Sequence, residues 1–310
     1  MDRKLKKILL ILFPLMVFIS CEKEEGKLSF KHNGVVREYV VSYPENTVEP
    51  CPLIITLHNF NGSALFIQEV SEMDDYALPN NIAVVYPEGI SNSWNVGTPW
   101  NNNEHDDVGF IDALIDTVAG RYKIDRNRVY ACGYSNGGYM TYELACHLAH
   151  KITAFGSIGG NFMLNADQIC DQDRLVPIID FKGTGDPFVA YNVPFPGQFS
   201  DDGSLLINEN IAYWKKFNDL TDTSVEFLDD LNQADSTTVE NIIYSNENHQ
   251  AKFVHYKIIN GGHQWFGSKL GDDYISYIGF NNHEIHASEI MVNFFLNYQL
   301  SDFTMNVNDD

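Results

Sequence analysis

The chain has 310 residues, 44% of them apolar and 13% aromatic, and a formal charge of −22. That apolar content is enough for one large core and excludes a disordered or collagen-like chain. So acidic a protein repels nucleic acid and anionic membrane surfaces, which excludes a phosphate-backbone binder.

Residues 1–20, MDRKLKKILLILFPLMVFIS, join a basic start to an apolar run too short for a comfortable membrane span. They read as a secretory signal. Phe18, Ile19, Ser20 and Cys21 resemble the lipobox of bacterial lipoproteins, with Phe18 where leucine is usual. That resemblance implies lipidation of Cys21, a lipid anchor in the membrane, and an exported lipoprotein at the outer membrane or cell surface. Residues 21–27, CEKEEGK, are expected to be a polar tether. Its acids resemble a surface-export signal, and a plain inner-membrane anchor is the alternative. One domain is expected over 28–300, followed by a polar tail over 301–310.

Residues 28–43 predict a hairpin about Asn33 and Gly34, a dipeptide suited to a tight primed turn. The runs 53–57, 82–86, 128–134, 154–159, 176–183 and 253–259 are short, apolar and rich in β-branched residues. Such runs fit strands covered on both faces. Amphipathic helices are predicted between and after them, over 68–78, 107–122, 137–150, 209–220 and 287–300. The alternation implies an α/β fold with a mostly parallel sheet and helices on both faces. The polar stretch 221–250 reads as a loop or an outer hairpin. Among Cys51, Cys132, Cys146 and Cys170, an exported protein can form disulfides. Cys132, in mid-strand, reads as a buried thiol, and Cys146 with Cys170 is the preferred pair.

The segment YACGYSNGGYM places Ser135 between Gly133 and Gly137, where a buried strand meets a helix. A nucleophilic serine must stand clear of its sheet on a sharp turn, and such a turn crowds the residues two away on each side. Glycines at those positions relieve the crowding. The partner base is expected after the last strand, where Asn260, Gly261 and Gly262 lead to His263. The acid is expected after an earlier strand, at Asp186, just past VPIIDFKGTG; Asp180, inside that run, reads as a buried or edge-strand carboxylate. Asp186 would then orient His263, and His263 would take the proton of Ser135. Asn136 would supply one oxyanion amide, and Phe60, in the loop HNFNG after the first parallel strand, the other. Asp106 and Asp107 open a helix, where carboxylates serve as caps. His283 and His286 carry only a weak metal spacing, and neither a metal nor a cofactor is expected.

Together GYSNGGYM, DDVGFIDALID, RNRVYACG, DFKGTGDPFV and NGGHQWFG resemble the LpqC-like and polyhydroxybutyrate-depolymerase-like esterases, relatives of feruloyl and acetyl xylan esterases. The resemblance implies an α/β-hydrolase fold with nucleophile, acid and base at Ser135, Asp186 and His263. It also supports the Cys146–Cys170 disulfide. Two positions depart from the pattern: Asn59 follows His58 where glycine is usual, and Phe266 stands where the family has proline. Trp94, Trp100, Phe188, Tyr191, Phe195 and Trp265 fall on loops expected to line a cleft for a phenolic acyl group or a sugar. The expected reaction is hydrolysis of a feruloyl, related aryl or acetyl ester on plant polysaccharide. A polyhydroxyalkanoate depolymerase, a serine peptidase of this fold and a non-catalytic glycan-binding lipoprotein are the alternatives.

Overall fold

Asn33 and Gly34 both take positive φ, at 48° and 82°. They turn β1 (Leu28–His32) into β2 (Val35–Ser42) as the expected hairpin. The computed structural model describes residues 26–98, 101–163, 170, 174–191 and 205–303. The expected signal over 1–20, Cys21 and most of the tether, Trp100, Phe195 and residues 304–310 of the tail lie outside the described residues.

After the hairpin come β3 (Cys51–Leu57), β4 (Ala83–Pro87), β5 (Ile124–Tyr134), β6 (Ala154–Ile158), β7 (Ile178–Gly183), β8 (Asp222–Phe227), β9 (Thr238–Asn246) and β10 (His249–Ile259). They form one ten-stranded sheet in the order β1-β2-β4-β3-β5-β6-β7-β10-β9-β8. Its central strands, β4 through β10 in that order, run parallel. Antiparallel hairpins flank them on both sides. The outer one, β8 with β9, occupies the polar stretch 221–250.

Successive residues of a strand point to opposite faces, and here both faces are covered. Leu53, Ile55 and Leu57 join one apolar cluster, and Ile54 joins the other. The first cluster packs beneath α3 (Asp107–Arg121), α4 (Asn136–His147) and α5 (Ile207–Phe217). The second packs beneath α1 (Ala64–Ser71), α2 (Met73–Ala77) and α7 (Ala287–Phe295), which follows the single-turn α6 (Ile275–Ile278). The helix expected over 68–78 differs in two ways. It begins at Ala64, because Ser63 caps it by accepting from the Phe66 amide at 3.1 Å. It also breaks at Glu72, whose φ is 49°.

Strand order positions the site. From β3 the chain crosses one face to β4 and then the other to β5, so β4 and β5 lie on opposite sides of β3. The loops leaving the carboxyl ends of β3 and β5 diverge there and leave a crevice. Leu57 pairs with Gly133, which brings His58 and its loop beside Ser135.

Candidate active site

Ser135 caps α4 with φ 54° and ψ −117°, a conformation that an L residue adopts only under constraint. Packing supplies the constraint. A β-carbon on Gly133 would lie 2.2 Å from the Gly137 carbonyl oxygen, and one on Gly137 would lie 2.4 Å from that of Leu57. Only hydrogen fits at either position, so strand, turn and helix close on each other and hold the serine outward. The Ser135 amide is tied back to the sheet, donating to Ile158 O at 2.8 Å.

Asp186 follows β7 and His263 follows β10, and these neighbouring strands bring the two side chains together. His263 Nδ1 donates to Asp186 Oδ2 at 2.7 Å. Asp186 Oδ1 accepts from the amides of Phe188 and Val189 at 2.8 and 2.9 Å. That leaves His263 Nε2 as the ring's basic nitrogen. The histidine backbone is held as firmly: its amide donates to Ile278 O at 2.6 Å, and its carbonyl accepts from the Tyr134 hydroxyl at 2.5 Å. Burial pushes the Tyr134 phenol far above its ordinary pKa, so it stays protonated and remains a donor. Gly159, with φ 57°, leaves room for the imidazole; a β-carbon there would lie 2.9 Å from His263 Cε1.

On the other side of the serine, Asn136 opens α4, where the first helical amides have no partner within the helix. Its side chain exchanges two hydrogen bonds with Trp94: Asn136 Oδ1 accepts from the Trp94 amide at 2.7 Å, and Nδ2 donates to Trp94 O at 3.1 Å. The Trp94 indole N–H donates to His58 O at 2.8 Å. His58 Nε2 accepts from the Gly89 amide at 2.9 Å, so Nδ1 carries the proton that reaches Asn59 O at 2.8 Å. Burial depresses the His58 pKa from 6.5 to about 4, which keeps this ring neutral.

Ser135, His263, Tyr139, Phe60, Phe188 and Tyr277 line one cavity of about 360 Å³, together with Asn59, Asn61, Tyr134, Val189 and Ile278. Three expected cleft residues are elsewhere. Trp94 is fully buried, because its indole N–H finds its acceptor in the chain beneath the loop 58–62. Trp265 is also buried; its N–H donates to Ser288 on α7 at 3.0 Å, so its ring belongs to the core behind Tyr134. Tyr191 is buried with its hydroxyl 2.6 Å from His255 Nε2. Phe188 does reach the cavity, meeting the His263 ring edge-on at 5.2 Å. Sequence reasoning passed over Tyr134, Tyr139 and Tyr277. The first two lie within GYSNGGYM, and an aromatic beside a turn serine was the available signal.

Asp180, buried on β7 between its neighbours, takes His255 Nδ1 at 2.6 Å and the Tyr142 hydroxyl at 3.1 Å. Asp106 caps α3 by accepting from the Gly109 amide at 2.8 Å, while Asp107 pairs with Arg37. His283 faces Asp272 and His286 faces Glu72. Among the described residues no group of three or more histidine, cysteine or acidic side chains could hold a metal. Cys146 and Cys170 are disulfide-bonded, and Cys51 and Cys132 are buried thiols.

The chain is similar to two curated esterases. It is 29% identical over 161 residues to a bifunctional acetylxylan esterase/xylanase of Neocallimastix patriciarum, covering 52% of this chain and 23% of that protein. It is 31% identical over 166 residues to feruloyl esterase B of Piromyces equi, covering 50% and 30%. The chain thus spans less than a third of the length of either relative. No family model matches it. Among solved structures, an acetyl xylan esterase from Aspergillus awamori aligns over 78% of this chain and 94% of its own, with a TM-score of 0.55 and 13% identity. The fold is that of the α/β-hydrolases.

Proposed function

We propose that the chain is a serine carboxylic ester hydrolase whose nucleophile, base and acid are Ser135, His263 and Asp186. The observation that carries this reading is the 2.7 Å His263–Asp186 hydrogen bond at a cavity that the outward-held Ser135 also lines. With Asp186 fixing the proton on Nδ1, Nε2 accepts the serine proton as Oγ attacks the ester carbonyl. The same nitrogen then protonates the leaving alcohol, and water releases the acyl group by the reverse path. The oxyanion donors on this reading are the amides of Asn136, the first residue of α4, and Phe60, in the loop after β3, because β3 and β5 end side by side at the serine. No cofactor enters these steps.

The substrate is a feruloyl, related aryl or acetyl ester of plant polysaccharide. The curated relatives and the aromatic side chains of Phe60 and Tyr139 in the cavity support this class. The motifs GYSNGGYM, DFKGTGDPFV and NGGHQWFG support a place among the LpqC-like and polyhydroxybutyrate-depolymerase-like esterases. The apolar start and Cys21 support a lipid-anchored protein exported to the outer membrane or cell surface, where such glycans would be met.

Replacing Ser135 with alanine is the test. Hydrolysis of 4-nitrophenyl acetate and methyl ferulate should fall at least roughly 1,000-fold, as nucleophile removal does elsewhere. The circular dichroism spectrum should not change, and a fluorophosphonate probe should label the parent chain at Ser135 alone. Turnover that survives the substitution would remove the mechanism.

A further inference from the structure

We propose that Tyr277 is the platform for the alcohol half of the ester, stacking on a sugar ring that lies outside the cavity. The inference rests on the esterase reading and adds which wall of the site recognises which part of the substrate.

Proton delivery determines the sides. His263 Nε2 must protonate the departing oxygen, so the alcohol half leaves along the imidazole. Phe188 meets the His263 ring edge-on at 5.2 Å, and Tyr277 continues the same wall, its ring 5.6 Å from that of Phe188. Phe60 belongs to the loop after β3, on the oxyanion side of the serine. The cavity therefore has an aromatic wall on its alcohol side that ends in Tyr277.

Size separates inside from outside. A volume of about 360 Å³ lies at the low end of the roughly 300–1,000 Å³ typical of small-molecule sites. It suits an acyl group and the reacting ester, whereas an oligosaccharide alcohol must continue over the rim. Tyr277 stands at that rim with 70% of its surface exposed, although it lines the cavity. Among the described residues no hydrogen bond holds its hydroxyl. An exposed tyrosine gives an apolar face for the C–H side of a sugar and a polar edge for its hydroxyls.

The ring is also kept in register with the base. Ile278, the next residue, accepts the His263 amide at 2.6 Å, and Phe280 O accepts the Gly262 amide at 2.8 Å. The Gln264 side chain donates to Gly279 O at 2.7 Å. A sugar placed on Tyr277 is thereby placed relative to Nε2, and a bound position set in advance lowers the cost of ordering the substrate.

The test compares two esters that share one acyl group, methyl ferulate and a feruloylated arabinoxylan oligosaccharide, with an acetylated pair run in parallel. Tyr277→Ala should raise KM for the oligosaccharide ester about 5- to 10-fold, the scale of one lost aromatic contact. Its loss of kcat/KM on the methyl ester should be several-fold smaller than on the oligosaccharide ester, because only the sugar extends over the rim. Tyr277→Phe, which keeps the ring and loses only the polar edge, should match the parent on the methyl ester and raise KM for the oligosaccharide ester by no more than about 3-fold. Equal losses on both esters would mean that the ring only supports the His263 loop, and unchanged kinetics on both would mean that it touches no sugar; either overturns the inference while leaving the esterase reading in place. A folded parent inert on every ester would overturn the esterase reading itself, and this inference with it.

Discussion

His58 carries no charge at neutral pH, and its two ring nitrogens join the loop 58–62 to Gly89 beneath the oxyanion side of the site. Its pKa in the fold, about 4, lies below the ordinary 6.5, so the fold favours the neutral ring. The stability this contributes is whole above about pH 6.5 and is lost as pH falls through 4, because the unfolded chain takes up the proton first. Relative to His58→Gln, which cannot titrate, the parent's advantage in unfolding free energy should shrink by about 3 kcal/mol between pH 7 and pH 4. Urea titrations of both proteins at each pH check this, and an advantage that is constant with pH would show that His58 does not titrate as described. The sequence carries no such signal: His58 is one of ten histidines, and only the Gly89 amide at Nε2 tells which way its proton faces. Ser135, Asp186 and His263 are legible because each follows a strand end that the apolar runs mark. Trp94 and Trp265 are not, because the acceptors of their indole N–H groups, His58 O and Ser288 Oγ, lie 36 and 23 positions away.

Two adjacent carboxylates at the start of α3 act at different ranges. Asp106 serves its own helix by accepting the Gly109 amide. Asp107 reaches outward: Oδ1 accepts from Arg37 Nη2 of β2 at 2.6 Å, and Oδ2 accepts from the Asn95 amide at 2.8 Å and Asn103 Nδ2 at 3.0 Å. Arg37 also lies 3.7 Å over the Phe110 ring, and burial pulls its pKa down. Asp107→Asn leaves that guanidinium buried without a charge partner and sets an amide N–H against donors, so it should cost about 3–5 kcal/mol of stability. Asp106→Asn keeps a capping oxygen and should cost less than about 1 kcal/mol. Equal losses in chemical denaturation would sink the distinction. A helix start rich in acids is visible in the sequence, but a pairing 70 positions away is not. The parallel strands were legible because burial on both faces makes them continuously apolar. The hairpin of β8 and β9 was only half legible, since β8 is exposed along its whole length and shows no alternation. The start of α1 is not legible, because the Ser63 cap lies five positions before the segment 68–78 in which the amphipathic pattern is expected.

Across the whole molecule, groups that secure the fold and groups that line the site occupy different ends of the same elements. Ser135 lies at the amino end of α4, and Cys146, near its carboxyl end, is bonded to Cys170. They lie eleven positions apart along the helix, about 16 Å at the α-helical rise. The Arg174 guanidinium reinforces the same region, donating to the carbonyls of Ala149 at 2.6 Å and Ile152 at 2.5 Å between α4 and β6. The disulfide joins positions 24 apart, and on the loop-entropy account a closed segment of that length stabilises the fold by about 3 kcal/mol. Cys146→Ala with Cys170→Ala should therefore lower the unfolding free energy by about that amount. It should leave kcat/KM on 4-nitrophenyl acetate within about 2-fold, because the packing that holds Ser135 outward involves Gly133, Gly137 and Leu57 and not the far end of α4. Chemical denaturation and steady-state kinetics on the one double variant read the two quantities separately. A stability unchanged by the substitution would contradict the entropic account. A large loss of activity in a variant that still folds would show that the two ends of α4 are coupled, with strain at Ser135 transmitted along the helix.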